Sequence, residues 1–177
     1  MNYTCKISSP VGLLTISSDG DNLTGLWIEG QKYFGRTLGK SIEDESLPIF
    51  VKVQSWLKQY FDGMQPVIDF PLAPSGSSFR QAVWKILGEI PYGHVITYGE
   101  IAKQIKEQSG QTSMSAQAVG GAVGHNPIAI IIPCHRVVGA DGSLTGYAGG
   151  IKTKIALLEL ENVPMDRLYV PKKGTAL

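Results

Sequence analysis

Asn126-Pro127-Ile128-Ala129-Ile130-Ile131-Ile132-Pro133-Cys134-His135-Arg136-Val137 joins an aliphatic run to a short group of polar and reactive residues. Isoleucine fills four of the five positions between the two prolines. β-Branched side chains favour extended backbone, and each proline biases the residue before it the same way. The run therefore predicts a buried extended segment. It delivers a thiol, an imidazole and a guanidinium in succession at Cys134, His135 and Arg136. A cysteine taken alone is more often packing than chemistry. Here a base and a cation stand beside it, and both favour the thiolate, the nucleophilic form. Adjacent side chains on an extended segment point to opposite faces. A partnership between Cys134 and His135 therefore requires a bend or a bridging water.

The 177 residues suffice for one large domain or two small ones. Apolar residues make up 43% and mean hydropathy is +0.02, as in ordinary soluble globular proteins. No apolar run is long enough for a membrane helix, and no basic region precedes an apolar block at the N-terminus. A cytoplasmic protein without membrane contact is expected. Cys5 and Cys134 are the two cysteines, and a reducing compartment suits a working thiol better than a disulfide. Residues 1–78 carry six basic and eight acidic side chains; residues 79–177 carry ten and seven. This basic tilt of the second half is compatible with phosphate contacts without requiring them.

Along the chain, residues 3–29 read as a β-meander, with turn signals at Pro10-Val11-Gly12 and Asp19-Gly20-Asp21-Asn22. Residues 30–46 read as polar and irregular, with Glu43-Asp44-Glu45 as a solvated loop or a helix start. Ile49, Val53, Trp56, Leu57, Tyr60 and Phe61 share one face at helical spacing, so Pro48 to Phe61 is predicted helical, with Gly63 as terminator. Residues 65–78 read as strand-like chain running into a linker, with a domain boundary near Ser75. A helix over 79–89, with Ser78 as N-cap, opens the second domain. Thr97 and Glu100 predict a capping box for a helix over about 98–105. After a polar loop over 106–112, Ser113 or Ser115 can cap a third helix ending near Gly124. Ala116, Ala118, Gly120, Gly121 and Ala122 give that helix a thin profile, suited to tight helix packing or to a narrow groove. A fourth helix is expected over 152–160. The fold class is α+β: an N-terminal α/β domain with its linker over 1–75, then a mainly helical helix-turn-helix domain over 76–177.

Pro133-Cys134-His135-Arg136-Val137, preceded by Gly124-His125-Asn126-Pro127 and followed by Gly146-Tyr147-Ala148-Gly149-Gly150, resembles the O6-alkylguanine-DNA alkyltransferases, also called methylated-DNA–protein-cysteine methyltransferases, of bacterial type. The spacing of that family is kept over 79–161. The resemblance implies a ribonuclease-H-like first domain and a winged helix-turn-helix second domain. It implies direct-reversal DNA repair by a suicide enzyme: one irreversible transfer of an alkyl group from O6-alkylguanine, with O4-alkylthymine a further candidate substrate. The partner implied is double-stranded DNA bound through its minor groove, contrary to the usual docking of such helices. The O6 atom lies on the major-groove edge, so the nucleotide must be flipped out of the stack.

By the same resemblance, Cys134 attacks the alkyl carbon, His135 removes the thiol proton through a water, and Glu161 orients His135. Tyr98 donates to the guanine ring. Asn126 braces the turn before the active-site segment. The backbone carbonyls of Cys134 and Val137 accept from the exocyclic amine, and the Ala148 N–H faces O6. Tyr147, Gly146, Gly149 and Gly150 shape the loop around the base, and Val123 also lines the substrate site. Ser115, Ala116, Gln117, Ala118, Gly120, Gly121, Thr97 and Arg136 form the implied DNA-binding set, with Arg136 also bonding between the domains. Many members carry an arginine that enters the duplex where Gln117 stands here. Glutamine lacks its charge and flat stacking surface, so flipping is expected to be assisted differently. The cysteine and histidine set that holds zinc in some relatives is missing, so no metal and no cofactor is expected. A monomer is expected.

Two rival classes remain open at this level. A lesion-binding module would not need Cys134, since such relatives carry tryptophan there. A thiol hydrolase could use the same Cys134, His135 and Glu161, but would turn over rather than be consumed.

Overall fold

The computed structural model describes residues 1–172. The chain divides into two compact units, Met1–Ser75 together with Pro127–Ala129, and Gly76–Asn126 together with the chain from Ile130 onward.

The first unit is built on a four-stranded sheet. β1 (Asn2–Ser9), β2 (Gly12–Ser18) and β3 (Leu23–Ile28) form the predicted antiparallel meander. The strand order is β3-β2-β1-β4, with β4 (Ser41–Glu43) parallel to β1. Glu43 therefore lies in a short strand, where a loop or helix start was expected. Pairing with β1 captures three residues too few and too polar to announce a strand. β2 is central, and Leu14 to Ser18 are all buried. Its two serines are satisfied there: Ser17 hydrogen-bonds Thr24, and Ser18 accepts from the Gly20 N–H. α1 (Pro48–Phe61) packs on β1 and β2. Its buried face is the predicted stripe, with Phe50 inside it and Phe61 only half-buried. Gly63, at φ +85°, ends the helix: its N–H reaches Tyr60 O while the Met64 N–H reaches Gln59 O.

The outer edge of β3 is not left open. Leu23 forms a parallel bridge with Leu72, and Leu26 with Ile128. These single bridges replace two longer predictions. Residues 65–78 contain no strand beyond Leu72, and the segment 127–132 is not extended throughout. After Ile128 the chain turns, and Ile130 takes a φ of +70°. A β-branched residue is strained there, so periodicity gave no warning of it. Its side chain is buried, and the Asn126 amide donates to Ile132 O at 2.8 Å across the turn.

In the second unit, α2 (Ser78–Gly88) is capped by Ser77, one residue earlier than expected, whose hydroxyl accepts from Arg80 N–H. β5 (Ile96–Thr97) leads into α3 (Tyr98–Ser109), and the Thr97–Glu100 capping box is complete. α3 runs four residues past the predicted end, to a left-handed Gly110. α4 (Ala116–Gly124) is capped by Ser115. α2, α3 and α4 pack on one another. Trp84 of α2 donates its indole N–H to Ala122 O at 2.8 Å, satisfying a carbonyl in the last turn of α4. A 3₁₀ turn, Cys134–Arg136, precedes β6 (Val137–Val138), and α5 is Ile151–Leu160. Val138, Leu144, Leu158 and Val163 form a core cluster beneath these elements. The mixed α+β expectation holds, with a sheet unit first and a helical unit second. Among the described residues no helix is long and apolar enough to cross a membrane.

Replacing Trp84 with Phe removes the donor and leaves Ala122 O unsatisfied in a buried site. Stability is expected to drop by about 1–3 kcal/mol in urea unfolding, the usual result of orphaning a buried group. An unchanged midpoint would rule out this tether.

Candidate active site

β5 pairs in parallel with β6, so Ile96 lies opposite Val137 and Thr97 opposite Val138. That pairing sets the start of α3, with Tyr98 its first residue, beside the segment that follows the 3₁₀ turn of Cys134. The turn is a bend of the kind that a partnership between Cys134 and His135 requires, since successive side chains on it are not held on opposite faces. Cys134 is buried, and its burial pushes the thiol above its ordinary value. A hydrogen bond with the Asn126 side chain, the Lys154 charge and backbone hydrogen bonds pull it back in part. The resting group is therefore a thiol that needs a base.

His135 is the candidate base. Its Nε2 lies 2.6 Å from Glu161 Oε2, and both side chains are fully buried. Glu161 is held as a carboxylate, at about 2, by His135 and Arg136 against the opposing effect of burial. A carboxylate only accepts, so Nε2 carries the proton and Nδ1 carries the lone pair. Nδ1 is buried and has no hydrogen-bond partner among the described residues. Desolvation lowers the His135 pKa, and the nearby Arg136 and Lys154 charges lower it further, against the Glu161 contribution. The imidazole is thus neutral near pH 7 and able to take a proton at Nδ1.

Glu161 caps the C-terminal end of α5. Its other oxygen accepts from Arg136 Nε at 2.7 Å and from the Gly93 N–H at 3.3 Å. Arg136 also donates to Ile90 O at 2.7 Å and lies over the Tyr92 ring. These partners all belong to the second unit, which corrects the expectation of a bond between domains. Arg136 was also expected among the DNA contacts. Its guanidinium is instead turned inward and committed to Glu161, because a buried carboxylate at a helix C-terminus needs a counter-charge.

Tyr98 donates its hydroxyl to Thr145 O at 2.8 Å, and burial together with the Cys134 charge raises its pKa. Gly146 follows at φ +82°, and a Cβ there would lie 2.5 Å from the Tyr98 oxygen. Tyr147 is buried, edge-on to His135 at 6.4 Å between ring centroids, and its hydroxyl has no hydrogen-bond partner among the described residues. Ala148 and Gly149 are half-buried in the same loop. Val137 is buried on β6. Val123 is buried with Val119 and Ala122 on the inner side of α4, whereas Ser115, Ala116, Gln117, Ala118 and Gly121 are exposed and Gly120 is half-buried. Thr97 is half-buried and spends its hydroxyl on the α3 cap. Sequence reading overlooked Lys154. It is fully buried, and its ammonium donates to Val137 O and Thr145 O. The signal was available: Lys154 sits one helical turn before Leu157 and Leu158, on the apolar stripe of α5.

The model of the 6-O-methylguanine DNA methyltransferase DNA-binding domain matches residues 78–163, and that of the family's ribonuclease-like domain matches residues 2–74. The chain belongs to the 6-O-methylguanine DNA methyltransferase family. A methylated-DNA–protein-cysteine methyltransferase of Haemophilus influenzae is 45% identical over 92% of this chain and 87% of its own. One of Mycobacterium tuberculosis is 46% identical over 88% and 89%. The M. tuberculosis OGT structure in complex with DNA is 44% identical, covering 93% of this chain and 96% of its own, at a TM-score of 0.78.

Within this methyltransferase fold, the depressed pKa values of Glu161 and His135 have one sign. The folded state binds fewer protons than the unfolded chain, so stability falls on acidification. The loss begins as pH drops through the ordinary imidazole value of about 6.5 and continues through the carboxylate range of about 4.3, to about 2 for Glu161. Urea midpoints should fall steadily from pH 7 to pH 4. Glu161→Gln, which strands Arg136, should lower stability by about 3–5 kcal/mol and remove the part of the loss in the carboxylate range, leaving the His135 part above it. A wild-type midpoint independent of pH would refute the assignment.

Proposed function

We propose that this protein repairs DNA by direct reversal, with Cys134 taking the methyl group from O6-methylguanine and keeping it as a thioether. The supporting observation is His135, next in the chain to the buried Cys134: a neutral imidazole, tautomer set by Glu161, whose basic Nδ1 has no hydrogen-bond partner among the described residues. The thiol proton passes through a water to Nδ1. The Cys134 sulfur forms the new bond to carbon as the bond from carbon to O6 breaks, and the electron pair stays with the guanine. Guanine then takes up one proton. The imidazolium left behind faces the Glu161 carboxylate, which stabilises it.

Tyr98 turns its hydroxyl from Thr145 O to the guanine ring as charge builds there. The Ala148 N–H faces O6, and the carbonyls of Cys134 and Val137 receive the exocyclic amine. The exposed, small-residue face of α4, with Ser115, Ala116, Gln117, Ala118, Gly120 and Gly121, lies in the minor groove. Thr97, at the start of α3, lies along the same duplex. The DNA complex of the M. tuberculosis relative supports the choice of partner. Minor-groove approach requires the lesion to be flipped, and Gln117 bonds the orphaned cytosine in place of an arginine. A thioether is not readily hydrolysed, so each chain acts once.

Intact-mass measurement after mixing with DNA containing one O6-methylguanine should show one methyl group gained per chain, mapped to Cys134 and absent in Cys134→Ala. Binding without a mass change would indicate a lesion-binding module, and turnover without a modified chain a hydrolase. Tyr98→Phe should slow the transfer about 10²- to 10⁴-fold, the usual contribution of a positioned proton donor, while Cys134 still accepts the methyl group. The rate should fall on acidification only below the ordinary imidazole value of about 6.5, because His135 is shifted down. A limb at or above that value would displace His135 as the base.

A further inference from the structure

Lys154 enters the site described so far only as a nearby charge, and its place in the fold is physically expensive. It is fully buried, at the end of the first turn of α5, where the positive end of the helix disfavours a cation. A methionine or leucine would fill a similar volume without the desolvation penalty of a charge. Yet the ammonium is tied to two backbone carbonyls. One is Val137 O, immediately after the turn that carries Cys134; the other is Thr145 O, at 3.0 Å. Thr145 O is also the acceptor of the Tyr98 hydroxyl, at 2.8 Å. One carbonyl thus serves both a fixed donor and the donor that must leave for the substrate.

We propose that Lys154 is a positioning residue for methyl transfer: it fixes the Val137 and Thr145 carbonyls, keeps Thr145 O satisfied when Tyr98 turns away, and opposes the Cys134 thiolate with a positive charge. A buried carbonyl stripped of its donor is costly. With Lys154 in place, release of the Tyr98 hydroxyl leaves no such orphan. The charge acts on Cys134 in the direction of the thiolate. Burial brings Lys154 itself down to about 8, and the Cys134 charge raises it in return. The other ionisable groups around this pair are His135 and Arg136 on the turn, Tyr98 on α3, Tyr147 in the loop and Glu161 at the end of α5.

The inference rests on the methyl-transfer reading, so its test includes a readout without DNA. Iodoacetamide alkylation of Cys134 is followed against pH by peptide mass, which separates it from Cys5, in wild type, Lys154→Gln and Lys154→Met. Glutamine retains a donor without the charge; methionine removes both. Both variants should show the alkylation midpoint raised by about one pH unit, or about tenfold slower reaction at neutral pH. Single methyl transfer should slow further in Lys154→Met than in Lys154→Gln, because only methionine strands the carbonyls. Midpoints equal to wild type in a folded variant, judged by circular dichroism, would overturn the proposal. If neither variant folds, lysine Cε resonances of the wild-type protein decide it. The Lys154 signal should titrate at a lower pH once Cys134 is alkylated and its thiolate can no longer form, and an unmoved titration overturns the proposal. Wild type that alkylates as expected but takes no methyl group from DNA would remove the functional reading instead.

Discussion

Glu161 gives one carboxylate oxygen to His135 and the other to Arg136, and the chemistry of the second unit depends on that division. A carboxylate at the C-terminal end of a helix is disfavoured by the helix dipole, and burial disfavours it further. Two cationic or proton-bearing partners offset both effects. The consequence for His135 is not obvious from the pair alone. Glu161 by itself would raise the imidazole pKa, but Arg136 takes up much of its charge. Burial then prevails, and the ring stays neutral with its proton fixed on Nε2. A neutral imidazole with a defined lone pair results from three residues whose separate tendencies conflict.

The remaining parts of the site are placed by backbone geometry. The two-residue pairing of β5 with β6 brings the start of α3, with Tyr98, beside the segment that follows the Cys134 turn, from far along the chain. The left-handed turn at Ile130 and the brace from Asn126 set the approach to Cys134. Gly146 has no Cβ where the Tyr98 hydroxyl passes, so the loop can close on the tyrosine. Strain at Ile130 and a buried cation at Lys154 are both unfavourable locally. They flank Cys134 in the sequence, where precise placement outweighs local stability.

The sequence carried much of this in readable form. α1 was legible to the residue because its apolar positions recur at helical spacing, and the α3 start because Thr97 and Glu100 form a capping box. Cys134, His135 and Glu161 were legible through a family resemblance spanning 79–161, not through local chemistry. Glu161 alone reads as a surface carboxylate at a helix end. β4 and the single bridges at Leu72 and Ile128 were not legible, since their partners lie tens of residues away and their own composition is weak. The run at 127–132 misled in the other direction, because β-branched composition says nothing of one residue forced to positive φ.

What the sequence by itself determined were the local matters: periodicity, caps, turns, and the order in which thiol, imidazole and guanidinium leave the aliphatic run. The tertiary structure alone decided the inward commitment of Arg136, the protonation state of His135 and the burial of Lys154. Each of these depends on desolvation and on charges brought close by distant parts of the chain. Such terms are set by distance and dielectric, and neither is written in the spacing of residues.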